Sequence, residues 1–186
     1  MLKINNISFS YGEKQILRDF SLEICENDRL WLYGESGCGK TTLTRLLLGL
    51  EKADSGKIIK DNDFKFSCVF QENRLLPFKT ALQNVMLVSN NLSLAKENLA
   101  ALGLKDELNT PVNQLSGGMK RRVAIARALT AEFDCLILDE AFTGLDEENI
   151  KTAIKRILEI AQSKPIILIS HSSLEAELLN AQKYEL

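Results

Sequence analysis

The chain has 186 residues, of which 45% are hydrophobic and 26% charged, with 23 Lys and Arg against 25 Asp and Glu. That length and composition support a single domain with a buried core, and exclude whole-chain disorder or coiled coil. A net charge of −2 advertises neither nucleic acid nor an anionic membrane surface as partner. No apolar run approaches the ~18 residues a spanning helix needs. The opening Met1-Leu2-Lys3-Ile4-Asn5-Asn6 is too polar for a secretory signal, so a cytosolic location is expected.

In chain order, strands are expected over 2–4, 20–24 and 29–33, the second with period-two alternation. A glycine-rich turn then leads into a helix over 39–50. Strand-like runs at 57–60 and 65–70 follow Gly56. Residues 79–105 read as mainly helical, a helix spans about 118–131, and a strand follows over 135–138. Residues 146–162 form an amphipathic helix, apolar at 150, 153, 154, 157, 158 and 161, with acidic residues in its first turn. Pro165 opens a strand over 166–169, and a last helix begins near Ser173. Continuous apolar strands between helices imply a sheet covered on both faces, hence an α/β fold. Residues 72–115, helical and without strands, read as an inserted lobe. Cys25, Cys68 and Cys135 lie in apolar, strand-like stretches and are expected to be buried, reduced thiols, since the spacing of the four cysteines matches no zinc site.

The first chemical signal is Gly34-Glu35-Ser36-Gly37-Cys38-Gly39-Lys40-Thr41, which fits G-x-x-x-x-G-K-[ST] between a strand and a helix. Glycines let consecutive backbone N–H groups converge on phosphate oxygens, and the helix that follows presents its positive end there. Lys40 would reach the β- and γ-phosphates of a nucleotide, and the Thr41 hydroxyl would ligate Mg²⁺. The second signal is Cys135-Leu136-Ile137-Leu138-Asp139-Glu140, a strand that delivers two carboxylates to the sheet edge where such sheets bind ligands. Asp139 is expected to hold Mg²⁺ and Glu140 to orient or deprotonate an attacking water. The third is Leu115-Ser116-Gly117-Gly118-Met119, whose hydroxyl, free N–H groups and helix dipole make a second anion site. The Lys120-Arg121-Arg122 run behind it reads as a solvated basic face. Cys38, beside a helix start and Lys40, is expected to be the most reactive thiol.

With these motifs the chain resembles the ATP-binding-cassette (ABC) ATPases. Leu115–Met119 is similar to the family's signature motif, with Met119 where glutamine is usual. The resemblance implies that Tyr11, in Phe9-Ser10-Tyr11-Gly12, stacks on adenine, and that residues 34–41 with Thr42 hold the phosphates. It assigns Gln71 to sensing Mg²⁺ and water, and Gly144-Leu145-Asp146 to a loop crossing a dimer interface. His171, the only histidine, is assigned to the γ-phosphate. Lys40, Gln71, Glu140 and His171 are then the catalytic set, and Thr41, Gln71 and Asp139 the metal set, with ATP and Mg²⁺ as cofactors.

The resemblance further implies a P-loop NTPase core over 1–71 and 116–186, with a mixed, mostly parallel sheet and a reduced antiparallel β lobe. Residues 72–115 become a helical subdomain. Two copies should face head to tail as a homodimer, each ATP lying between the 34–41 loop of one and Ser116-Gly117-Gly118 of the other. Separate membrane-spanning permease subunits would dock on residues 72–80, placing the chain peripherally on the cytoplasmic face of the membrane. A solute-binding protein is a further partner, and nucleic acid is not. Leu75-Leu76-Pro77-Phe78 resembles importer subunits of the nitrate/sulfonate/taurine type, although lipoprotein-release-type ATPases also carry Leu-Leu-Pro here. Ala141 stands where the family has proline and is expected to loosen the loop after Glu140. The early end after His171 is expected to leave no room for a regulatory domain. The rivals are a P-loop small-molecule kinase, which leaves residues 115–119 unexplained, and a non-transport ABC protein acting on DNA or ribosomes, which usually carries tandem cassettes.

Overall fold

The computed structural model describes residues 2–186. Its elements are β1 (Leu2–Tyr11), β2 (Lys14–Ile24), β3 (Arg29–Tyr33), α1 (Lys40–Leu47), β4 (Ser55–Ile59), β5 (Phe66–Val69), α2 (Ala81–Val85) and α3 (Leu92–Ala101). Then follow α4 (Gly117–Thr130), β6 (Cys135–Asp139), α5 (Glu147–Ala161), β7 (Ile166–Ile169), α6 (Ser173–Leu179) and β8 (Gln182–Glu185). Two short 3₁₀ turns, Lys105–Glu107 and Val112–Gln114, precede α4.

The strands divide by pairing direction. An antiparallel sheet of order β2-β1-β4 forms the β lobe, and a five-stranded sheet of order β5-β6-β7-β3-β8 forms the core with every pairing parallel. The β1–β2 hairpin is longer than its sequence suggests. Register shifts near Ile7 and Phe9 break the alternation that marks a strand, because each bulge moves side chains to the other face. Strand β8 has no apolar run to announce it. It sits at the sheet edge beside β3, where only Tyr184 packs inward.

The central strands are apolar throughout because both faces are covered. Cys135 and Ile137 of β6, with Ile167 and Ile169 of β7, pack under the hairpin and α1. Leu136, Leu138, Ile166 and Leu168 point the other way, against α4 and α5, as the two-residue period of a strand requires. Of the thiols expected to be buried, Cys135 is buried and Cys68 half-buried. Cys25 is instead exposed, because it falls just after β2 ends at Ile24 rather than within a covered strand.

Helix α1 stops at Leu47, short of the expected residue 50, in a Schellman turn. Leu50 N–H donates to Arg45 O (2.8 Å) and Gly49 N–H to Leu46 O (3.1 Å), with Gly49 at φ 69° supplying the left-handed residue. The mainly helical 79–105 stretch holds two helices, α2 and α3. Thr80 and Gln83 form a capping box that starts α2, and Asn91 caps α3 by accepting from Leu94 N–H (3.0 Å). The fully buried Asn84 pins the preceding loop, accepting from Leu76 N–H (2.7 Å) and donating to Leu76 O (3.0 Å). That loop leaves Leu76 and Phe78 45% and 85% exposed. Among the described residues, no helix is long and apolar enough to cross a membrane.

Candidate functional site

Parallel pairing in the order β5-β6-β7-β3 aligns four strand exits along one edge. The 34–41 loop leaves β3, Phe70-Gln71 leaves β5, Asp139-Glu140 leaves β6 and Ser170-His171 leaves β7. The cleft between them, about 310 Å³, is lined by Ser36, Gly37, Gly39, Lys40, Thr41, Thr42, Gln71, Asp139, Glu140 and His171. His171 Nε2 lies 3.8 Å from Glu140 Oε1. A larger cleft of about 540 Å³ opens at the opposite, amino-terminal edge of the sheet and holds none of these residues. Volume is a poor guide here, since chemistry in parallel sheets gathers at the carboxyl ends.

The loop is already folded around its lysine. Lys40 Nζ donates to Gly34 O (2.6 Å) and Glu35 O (2.9 Å). Gly39, at φ 112°, precedes the helix, and a Cβ there would meet Leu17 Cδ2 at 2.9 Å, so glycine is required twice over. Cys38 is half-buried, and its sulfur sits so close to Gly34 that a Cβ on that glycine would lie 2.7 Å away. The thiol therefore faces the base of the loop rather than the cleft.

Asp139 is 5% exposed. Burial, reinforced by the neighbouring charge of Glu140, pushes its carboxyl above the usual range, while Arg121 and Lys40 oppose the rise. Such a desolvated carboxylate favours a cation placed against it. Thr41, Gln71 and Asp139 all line the cleft and also the neighbouring pocket, offering hydroxyl, amide and carboxylate oxygens that suit Mg²⁺.

Other expected site residues lie outside this cleft. Tyr11 is 45% exposed, edge-on to Phe9 with ring centroids 4.8 Å apart; its hairpin neighbours Lys14 and Ile16 line the cleft instead. Gly34 and Glu35 turn their carbonyls to Lys40. Ser116 caps α4, its hydroxyl accepting from Met119 N–H (3.2 Å), and a Cβ on Gly117 would meet open space. Asp146 caps α5 by accepting from Asn149 N–H (2.8 Å), and hydrogen bonds from Asn149 hold its carboxyl below the usual range.

The reading of Lys120-Arg121-Arg122 as a solvated face fails at its centre. Arg121 is 2% exposed and points inward toward the strand exits, whereas Arg122 is half-buried and donates to Leu102 O (2.8 Å). Lys14, Ile16 and Arg121 carry no spacing or motif that would have marked them; only the fold supplies their neighbours. Glu175 on α6 was also missed. It is 8% exposed, its Oε2 has no hydrogen-bond partner among the described residues, and burial pushes its carboxyl up.

A family model described as "ABC transporter" matches residues 17–143. An aliphatic sulfonates import ATP-binding protein of Paraburkholderia xenovorans is 42% identical over 151 residues, covering 78% of this chain and 44% of its own length. This chain thus spans less than half of that relative. An arginine transport ATP-binding protein of Bacillus subtilis is 33% identical over 92% of this chain and 81% of its own. An ergothioneine transport ATP-binding protein of Helicobacter pylori is 34% identical over 100% and 97%. A dimeric, post-hydrolysis ATP-binding cassette solved with ADP and Pi matches with a TM-score of 0.84 at 28% identity, over 96% of this chain and 91% of that one.

Proposed function

Because the chain belongs to the ATP-binding-cassette transporter family, we propose that it is a Mg²⁺-dependent ATP-hydrolysing subunit that powers solute import through separate membrane-spanning chains. The observation that carries this is the convergence of Lys40, Thr41, Gln71, Asp139, Glu140 and His171 in one cleft. The phosphate loop binds the β- and γ-phosphates through backbone N–H groups, with Lys40 exchanging its loop carbonyls for phosphate oxygens. Glu140 accepts a proton from the attacking water, and His171 beside it contacts the γ-phosphate. Thr41, Gln71 and Asp139 would hold Mg²⁺, which would supply positive charge against the charge developing on the phosphates.

Ser116, Gly117 and Gly118, lying outside the chain's own cleft, are left to bind the nucleotide of a second copy. Dimeric cassettes among the matched structures support that head-to-tail arrangement. Residues 72–115 serve as the helical subdomain, and the exposed Leu76 and Phe78 as contacts to a permease. The import name of the sulfonate relative supports import over lipoprotein release. Phosphate release with Mg-ATP is the test. The specific rate should rise with chain concentration as dimers form; a rate strictly proportional to concentration, dependent on an acceptor, would select the kinase alternative. Co-purification of the native membrane complex identifies the permease and any solute-binding protein.

A further inference from the structure

Arg121 lies on the second turn of α4, five residues beyond the Ser116 cap, and its guanidinium is almost wholly buried at 2% exposure. Its donors reach three consecutive carbonyls at the exit of β6. Nε donates to Ala141 O (2.7 Å), and Nη2 to Asp139 O (3.3 Å) and to Glu140 O. Nη1 reaches the exit of β5, donating to Phe70 O (2.6 Å), Gln71 O (3.2 Å) and Asn73 Oδ1 (3.2 Å). One side chain therefore ties the backbones that carry Gln71, Asp139 and Glu140.

Glu140 needs such a tie. Its φ is 48°, a left-handed conformation that a side-chain-bearing residue adopts only where its surroundings hold it. Besides Arg121, its backbone is held by Glu140 N–H donating to Ile169 O (2.9 Å) and by Thr143 N–H donating to Glu140 O (3.2 Å). Ala141, where a proline ring would otherwise stiffen the turn, keeps a free φ and is itself bonded by Arg121. The loosening expected at Ala141 is thus opposed by the guanidinium.

We propose that Arg121 is a positioning residue that aims the Glu140 carboxylate and the Gln71 loop at the attacking water, acting through their backbones without touching the nucleotide. This rests on the hydrolytic reading of the cleft. A Lys at 121 keeps the positive charge but cannot span the five carbonyls and the amide oxygen that the planar fork reaches.

The test compares the wild-type chain with Arg121→Lys and with Asn98→Ala as a structural control. Asn98 is buried between Thr130 Oγ1 (2.9 Å) and Arg156 Nε (2.8 Å), on contacts unconnected to the cleft, so its loss lowers stability alone. All chains are assayed well below their melting points. Arg121→Lys is expected to lower kcat for Mg-ATP about a hundredfold, the effect of an ångström-scale misplacement of a reacting group. KM is expected to stay within about threefold. Asn98→Ala should melt lower yet keep kcat within about twofold. Amide exchange should quicken at 70–74 and 139–143 in Arg121→Lys and not in the control. If Arg121→Lys keeps wild-type kcat, or loses kcat only in step with the control, the positioning role is overturned. A wild-type chain without ATP turnover would overturn the hydrolytic reading instead, and the exchange measurement would still decide whether Arg121 holds those two segments.

Discussion

Replacing Glu140 by glycine should remove catalysis and strengthen the fold at once. At φ 48° an L side chain costs about 1–2 kcal/mol. Glycine is relieved of that but gives back about 0.5–1 kcal/mol through the extra backbone freedom of the unfolded chain. The net gain is about 1 kcal/mol, isolated by comparing Glu140→Gly with Glu140→Gln. Both substitutions delete the carboxylate that sits near Asp139 and Glu175, and only glycine releases the backbone. For a chain of this size 1 kcal/mol is worth about 2–4 °C, so Glu140→Gly should melt that much above Glu140→Gln in scanning calorimetry without nucleotide. Both should lose the factor of about 10²–10⁴ that a general base contributes to turnover, and Glu140→Gln with Mg-ATP should elute as a dimer. A glycine variant melting at or below the glutamine variant would refute the strain argument. Turnover near wild type in either would refute the role of Glu140.

Three further outcomes are expected. Leu76→Asp and Phe78→Asp should leave melting and ATP binding within error, because both side chains are exposed, while assembly with membrane chains is lost; unfolding of either would return those residues to the core. Maleimide at neutral pH should modify Cys25 ahead of Cys38 and spare Cys68 and Cys135, whose thiols burial pushes up to about 12; Mg-ATP should slow modification of Cys38 alone, and peptide mapping that shows equal slowing at Cys25 would contradict the placement of the loop. Glu175→Gln should raise the melting temperature at pH 8 with the advantage fading as pH falls toward the ordinary carboxylate range. A carboxyl raised in the folded state weakens the fold where it is ionised and not where both states are protonated; a gain that persists unchanged at acid pH would rule out that linkage.

The glycine-rich loop before α1 and the strand that ends in Asp139 were legible as local structure because each demands a short, fixed run of residue types at one junction. Glycines before Lys40 and an apolar strand before Asp139 leave few other folds for those segments. The adjacency of the strand exits was not written in any one stretch. It follows from the crossover order β5-β6-β7-β3, which periodicity does not encode. Strand β8 escaped notice because an edge strand need not be apolar, and the hairpin because its bulges interrupt the alternation. Arg121 misled for a different reason: three basic residues in a row on a helix look solvated, yet consecutive positions are about 100° apart. One of them can face the interior while its neighbours do not.

The bonds that Lys40 makes to Gly34 O and Glu35 O bear on how the cleft takes up a ligand. An ammonium already engaged by two carbonyls is not waiting for a partner; an incoming group must outcompete them. A phosphate oxygen can do so, because a charge-assisted bond to an anion is stronger than one to a neutral carbonyl. The loop lysine is thus held in place before any ligand arrives, so binding there exchanges existing bonds instead of ordering a loose side chain.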